Sequence, residues 1–129
     1  MPLTITAIYG SCLALFLIVL AVPVMKLRRG LRVGLGDGGH DSLRQAVRAH
    51  GNAAEFIPMF VILLAIYELN HASAIALHFF GAVFLVARVA HAGGLYSSSG
   101  VSVGRVLGGA GTFGCIIGLA IANLLKVTF

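Results

Sequence analysis

Four apolar stretches, each close to the length a helix needs to cross a bilayer, dictate what this chain can become. A spanning helix takes about 20 mostly apolar residues. Such stretches run over approximately 5–27, 41–68, 74–92 and 103–127. Lipid offers the backbone no hydrogen-bond partner, so a crossing segment must be a helix or a strand of a closed barrel. Stretches this long and this uniformly apolar predict helices. The expected fold is an all-α membrane protein, a four-helix transmembrane bundle in which residues 1–129 form one domain.

Charge supports this reading by its scarcity and its placement. Charged residues make up 10% of the chain and hydrophobic ones 59%. That leaves too little polar surface for a soluble domain of this size. The net charge of +5 is accordingly a topology signal, and no nucleic-acid partner is expected. Lys26, Arg28, Arg29, Arg32, Arg44 and Arg48 flank the first connection, and Arg88 and Arg105 flank the third. Both connections lie at the same end of an up-and-down bundle, and Lys126 alone lies at the other. The positive-inside rule puts the basic end in the cytoplasm and both termini opposite, in the inner or plasma membrane if the source is bacterial. No basic residue precedes the first stretch, and its uncharged run reaches Met25. It reads as a retained helix and not as a signal peptide.

The connections are marked by breakers. GLRVGLGDGG, Gly30 to Gly39, is a glycine-rich loop, and Asp41 or Ser42 offers a cap to the helix after it. Glu68 to Ser73 forms the second loop, and GGLYSSSG, Gly93 to Gly100, the third. Along the fourth helix Gly104, Gly108, Gly111, Cys115, Gly118 and Ala122 recur at steps of three and four. They make one small-residue face, which serves close packing within the chain or between subunits. Cys12 and Cys115 each lie in an apolar run, without metal-ligand spacing. They read as free thiols, and no metal is expected.

Intramembrane polar residues are costly and need a reason. In Arg48-Ala-His-Gly-Asn-Ala-Ala-Glu-Phe-Ile-Pro58, the residues Arg48, Asn52 and Glu55 fall at i, i+4 and i+7. A cation, an amide and a carboxylate thus share one helix face. The stripe suits a zwitterionic or anionic ligand, because arginine grips carboxylates through a planar fork and Glu55 accepts from an ammonium group. It suits equally an internal ion-pair network, such as Glu55 with Arg88. His91 lies one turn from Arg88 near the basic end, and Tyr96 follows as a donor in the third loop.

The run RAHGNAAEFIP resembles the signature of MAPEG proteins, the membrane-associated proteins in eicosanoid and glutathione metabolism. Arg28-Arg29-Gly30-Leu31-Arg32-Val33 is similar to the basic end of that family's first helix, and Ala87-Arg88 matches near the end of its third. The resemblance implies a homotrimer of four-helix subunits with glutathione, a co-substrate, bound between neighbours near the cytoplasmic face. It implies that Arg48, Asn52 and Glu55 hold the glutamyl and backbone groups of glutathione. Arg28 or Arg29 would meet a carboxylate, and His50, His91 and Tyr96 would supply further polar contacts. Arg105 is the implied catalytic residue, stabilising the thiolate. Two departures stand out. Phe56 occupies a position where one branch of the family has tyrosine, and His91 replaces another tyrosine.

The activity so implied is a glutathione-dependent transferase or peroxidase acting on a hydrophobic small-molecule electrophile that arrives from membrane lipid. A non-catalytic lipid- or partner-binding protein on the same scaffold is the alternative. A small four-helix transporter ranks last, because the first helix has no carboxylate.

Overall fold

The computed structural model describes residues 2–98 and 100–128. They form four helices in chain order: α1 (Thr4–Leu31), α2 (Asp41–Leu69), α3 (Ala74–Ser97) and α4 (Val103–Thr128). All four are long and apolar enough to span a membrane. Helices α2 and α3 make the centre, with α1 on one flank against both and α4 on the other flank against both. Pro23 and Pro58 lie inside α1 and α2 without ending them.

The centre is dry and aromatic. Phe60 of α2 and Phe84 of α3 stack with centroids 3.7 Å apart, and both are fully buried. Leu13, Leu64, Leu77 and Leu119 close around them. The outside is equally apolar: Leu15, Ile18, Val19, Leu107, Ile117 and Leu124 are all more than half exposed. A surface so rich in exposed aliphatic side chains suits lipid and not water.

The small-residue face of α4 is spent inside the chain. A Cβ added at Gly104 would lie 2.8 Å from the Ala90 carbonyl oxygen, and one at Gly108 would lie 2.6 Å from that of Ala87. At Gly111 it would meet the Ala87 Cβ at 2.9 Å, and at Gly118 the Phe80 ring at 3.0 Å. Buried Cys115 directs its thiol toward the Phe80 carbonyl, and Cys12 is exposed on α1. Of the two uses the sequence left open for this face, the structure shows packing of α4 on α3.

The same close approach moves a helix boundary. Gly93 and Gly94 do not end α3, which continues to Ser97. A Cβ at Gly94 would sit 2.5 Å from the Arg105 amide nitrogen, so this glycine admits the start of α4. Ser102 ties the corner: its hydroxyl donates to the Gly94 carbonyl at 2.9 Å and accepts from the Arg105 amide at 3.4 Å. Helix α1 likewise runs past Gly30, ending where Arg32 takes the left-handed conformation, φ 55°.

The start of α2 differs from expectation. Residue His40 precedes α2 without a side-chain cap, and Asp41 is already helical, its carboxylate accepting from Arg44 at 2.9 Å. Asp37, in the loop, accepts from Arg44 Nε at 2.6 Å and from the Gly39 amide at 2.9 Å. The Arg44 guanidinium, followed by the Gly39 N–H, holds the Asp37 carboxyl below the ordinary carboxylate range. Such a depressed group contributes order above its unfolded value and loses it as pH falls through its folded value. Protection of the Gly39 and His40 amides, taken relative to the intrinsic exchange rate at each pH, should therefore hold at neutral pH and fall only below the ordinary carboxylate range. Asp37→Asn should lack that protection at both pH values.

Glu68 was expected in a loop. It stands in the last turn of α2 and caps α1 from across the bundle, accepting the Ile5 amide at 3.0 Å and the Thr6 amide at 2.7 Å. Leu3, before α1, offers no side-chain cap of its own. A carboxylate at a helix N-terminus satisfies orphan donors and opposes the helix dipole. Glu68→Gln should therefore cost about 1 kcal/mol, and Glu68→Ala about 2 kcal/mol, read as a lower melting temperature in detergent.

Candidate functional site

The basic end of the bundle contains an open cavity of about 250 Å³ between the start of α2, the end of α3 and the start of α4. Arg44, Arg48 and Asn52 enter from successive turns of α2. His91 and Leu95 enter from successive turns of α3, and Arg105 from the first turn of α4. Asp41, Gln45 and Ser98 complete the rim. Three arginines face one carboxylate here, and that carboxylate is already paired with Arg44. The cavity is cationic, and it favours an anionic occupant.

Adjoining it is a smaller cavity of about 110 Å³ that shares Asn52 and His91 with the first. Its other walls are Phe56, Arg88, Gly109, Thr112 and Phe113. Phe56 and Phe113 meet edge to face at 5.4 Å. Arg88 is 2% exposed. Its Nη1 donates to Asn52 Oδ1 at 2.8 Å and its Nη2 to the Gly108 carbonyl at 3.4 Å. The guanidinium lies 5.7 Å from the Phe56 centroid and 5.9 Å from that of Phe84. Its Nε is buried with no acceptor among the described residues. Arg88 occupies the Asn52 oxygen and so leaves that amide's two N–H groups to an occupant of the cavity.

The expected site residues divide into two groups. Arg48, Asn52, His91 and Arg105 come together in the open cavity. Arg105 also donates to the Gly100 carbonyl, which holds it at the rim. Arg28 lies elsewhere, donating to Gly36 O at 3.0 Å and Val33 O at 3.4 Å, and so braces the glycine-rich loop. Arg29 is exposed on α1, His50 is half-buried on α2 outside the cavity, and Tyr96 is 41% exposed, with Leu95 taking the inward place. Glu55 is exposed and lines neither cavity of the single chain. The ion pair of Glu55 with Arg88 does not form; Arg88 takes Asn52 instead.

Arg44, Gln45, Leu95 and Thr112 were not singled out from sequence. Arg44 had a usable signal, since it lies four residues before Arg48 and extends the same stripe by one turn. Leu95 stands four residues after His91 in the same way, but an aliphatic residue in an apolar helix carries no mark of its own.

Fold and cavity together define a four-helix integral membrane protein with a cationic site at one end of its bundle. The chain belongs to the MAPEG family, whose model matches residues 6–125. It is also similar to the inner membrane protein YecN of Escherichia coli strain K12, with 39% identity over 87 residues. That match covers 67% of this chain and 66% of the relative. The YecN protein of the O6:H1 strain CFT073 matches to the same extent.

Proposed function

We propose that this protein binds glutathione at its basic end and uses the thiol against hydrophobic electrophiles, as a transferase or a peroxidase. The observation that carries the reading is the cavity in which Arg44, Arg48 and Arg105 surround the Asn52 amide, with a buried arginine adjoining it. Arginine forks match the two carboxylates of the tripeptide, and Asn52 has N–H groups left to donate. Apolar second substrates concentrate in the lipid that surrounds the exposed aliphatic faces of the bundle.

The reading includes a homotrimer, with the basic end cytoplasmic and both termini opposite. Its support is Glu55. Counting about 20 residues back from Leu69 brings the hydrocarbon boundary near residue 50, so Glu55 stands inside it. A carboxylate exposed at that depth is costly unless a polar partner covers it. A neighbouring subunit, with glutathione between the two, would provide that cover. Arg29, free on the outer side of α1, is the arginine such a neighbour would present.

The test is turnover in detergent with glutathione and either an aryl halide or a lipid hydroperoxide. Conjugation identifies a transferase, and reduction of the hydroperoxide a peroxidase. Neither activity, in protein that binds glutathione, would favour the non-catalytic scaffold. Arg105 held to Gly100 and Phe56 in place of a phenol are the observations on that side.

A further inference from the structure

The end of α1 carries charge that neither the fold nor the open cavity uses. Lys26, Arg29 and Arg32 are exposed, and none has an acidic partner among the described residues. Asp37 and Asp41 are both engaged by Arg44, and Glu68 caps α1 at its other end. Arg28 is taken by the Val33 and Gly36 carbonyls. Two open hollows adjoin on this surface. One, of about 430 Å³, is formed by Val22, Met25, Lys26, Arg29 and Gly30. The other, of about 500 Å³, shares Met25 and Arg29 and brings in Arg32. Each puts aliphatic and cationic side chains together. Toward the bilayer centre the helix continues the aliphatic part. Leu15, Ile18, Val22, Met25 and Arg29 follow at steps of three and four, so they share one face. Leu15, Ile18 and Met25 are each more than half exposed. Counting about 20 residues from the start of α1 brings the hydrocarbon boundary to Met25. Lys26, Arg29 and Arg32 therefore stand in the headgroup layer. The rise from Leu15 to Met25 is about 15 Å, half of a core about 30 Å thick, which is the depth of one leaflet.

We propose that this face of α1 is a binding site for an anionic phospholipid. The phosphate sits among Lys26, Arg29 and Arg32, and an acyl chain lies along Met25, Val22, Ile18 and Leu15. A topology signal needs only positive charge and is indifferent to which lipid lies beside it. Here the cations head an aliphatic stripe one leaflet long, so charge and apolar contact fall on a single amphiphile. An anionic headgroup gains from each lysine or arginine at this level, and a zwitterionic one gains little. Lysine as a compact point charge and arginine through its fork both suit phosphate. A free anion would use the cations alone and leave the stripe without a role. The proposal does not rest on the glutathione reading. Arg29 is the one residue that the two share, so the test turns on Lys26 and Arg32, to which that reading gives no part.

The test is native mass spectrometry of the detergent-purified protein, incubated with equal amounts of phosphatidylglycerol and phosphatidylcholine of matched acyl chains. Wild type should carry phosphatidylglycerol with a preference of at least about tenfold. The double variant Lys26→Gln/Arg32→Gln should lose that preference and bind phosphatidylcholine as wild type does. Both side chains are exposed, so the variant should elute as wild type does in size-exclusion chromatography. Lys26→Gln alone should show an intermediate preference, and Lys126→Gln, at the other end of the bundle, should keep it whole. Excess glycerol phosphate, a headgroup without acyl chains, should leave the lipid bound. Equal binding of the two lipids by wild type would overturn the proposal, as would an unchanged preference in the double variant. Displacement by glycerol phosphate would assign a free-anion site and overturn the lipid. Displacement by glutathione would put the lipid in the open cavity and overturn the site on α1. Protein that keeps the preference and binds no glutathione would overturn the glutathione reading alone.

Discussion

Gly108→Val should abolish the folded bundle. A Cβ at this position would lie 2.6 Å from both the Ala87 carbonyl oxygen and the His91 amide nitrogen, and 2.7 Å from the His91 Cβ. Two of those three atoms are backbone, which cannot rotate away. Helices α3 and α4 would have to separate along the seam that also runs through Gly104, Gly111 and Gly118. The Gly108 carbonyl accepts from Arg88 and from the Thr112 hydroxyl, so separation also strips a buried cation of a partner. Overpacking alone costs about 1–3 kcal/mol, and an uncovered buried charge about 3–5 kcal/mol more. The sum is comparable to the whole stability of a small domain. The expected result is aggregation on extraction, read by size-exclusion chromatography. Gly114→Val is the control: nothing lies within 4 Å of its Cβ, and it should extract and elute as wild type does.

Arg48→Ala should cut kcat/KM for glutathione by about tenfold to a hundredfold, the loss of one charge-assisted hydrogen bond of roughly 1.5–3 kcal/mol. The arginine is exposed at the cavity rim, and its removal leaves no buried atom unpaired, so the fold should stand. The loss should appear in KM, because a contact to a carboxylate far from sulfur stabilises ground state and transition state alike. Lys126→Ala, at the opposite end of the bundle, should change neither parameter. An effect confined to kcat would place Arg48 near the reacting atoms and contradict the arrangement proposed here.

The number and order of the helices were legible in the sequence because lipid imposes one requirement on any crossing segment: a long apolar run. Arg48, Asn52, His91 and Arg105 were legible too, since a polar residue in such a run has to be accounted for. What was hidden is which apolar face turns inward. In water the buried face is apolar and the other polar, but in a membrane both are apolar, and periodicity says little. Leu95 could not be told from Tyr96 as the inward residue for this reason. Gly93 and Gly94 looked like helix breakers, and Gly94 instead makes room for α4 to approach. Glu68 looked like loop punctuation, since nothing local shows that the start of α1 lies within its reach. The smaller cavity at Arg88 requires three helices to be placed before it exists.

Isothermal calorimetry on the detergent-purified protein tests whether the cationic cavity at the basic end takes glutathione. Saturable binding is expected, weakened about tenfold or more in Arg48→Ala, where one charge-assisted hydrogen bond is lost. Absence of binding heat in folded wild-type protein, or equal affinity in wild type and Arg48→Ala, would mean that the cavity is not a glutathione site.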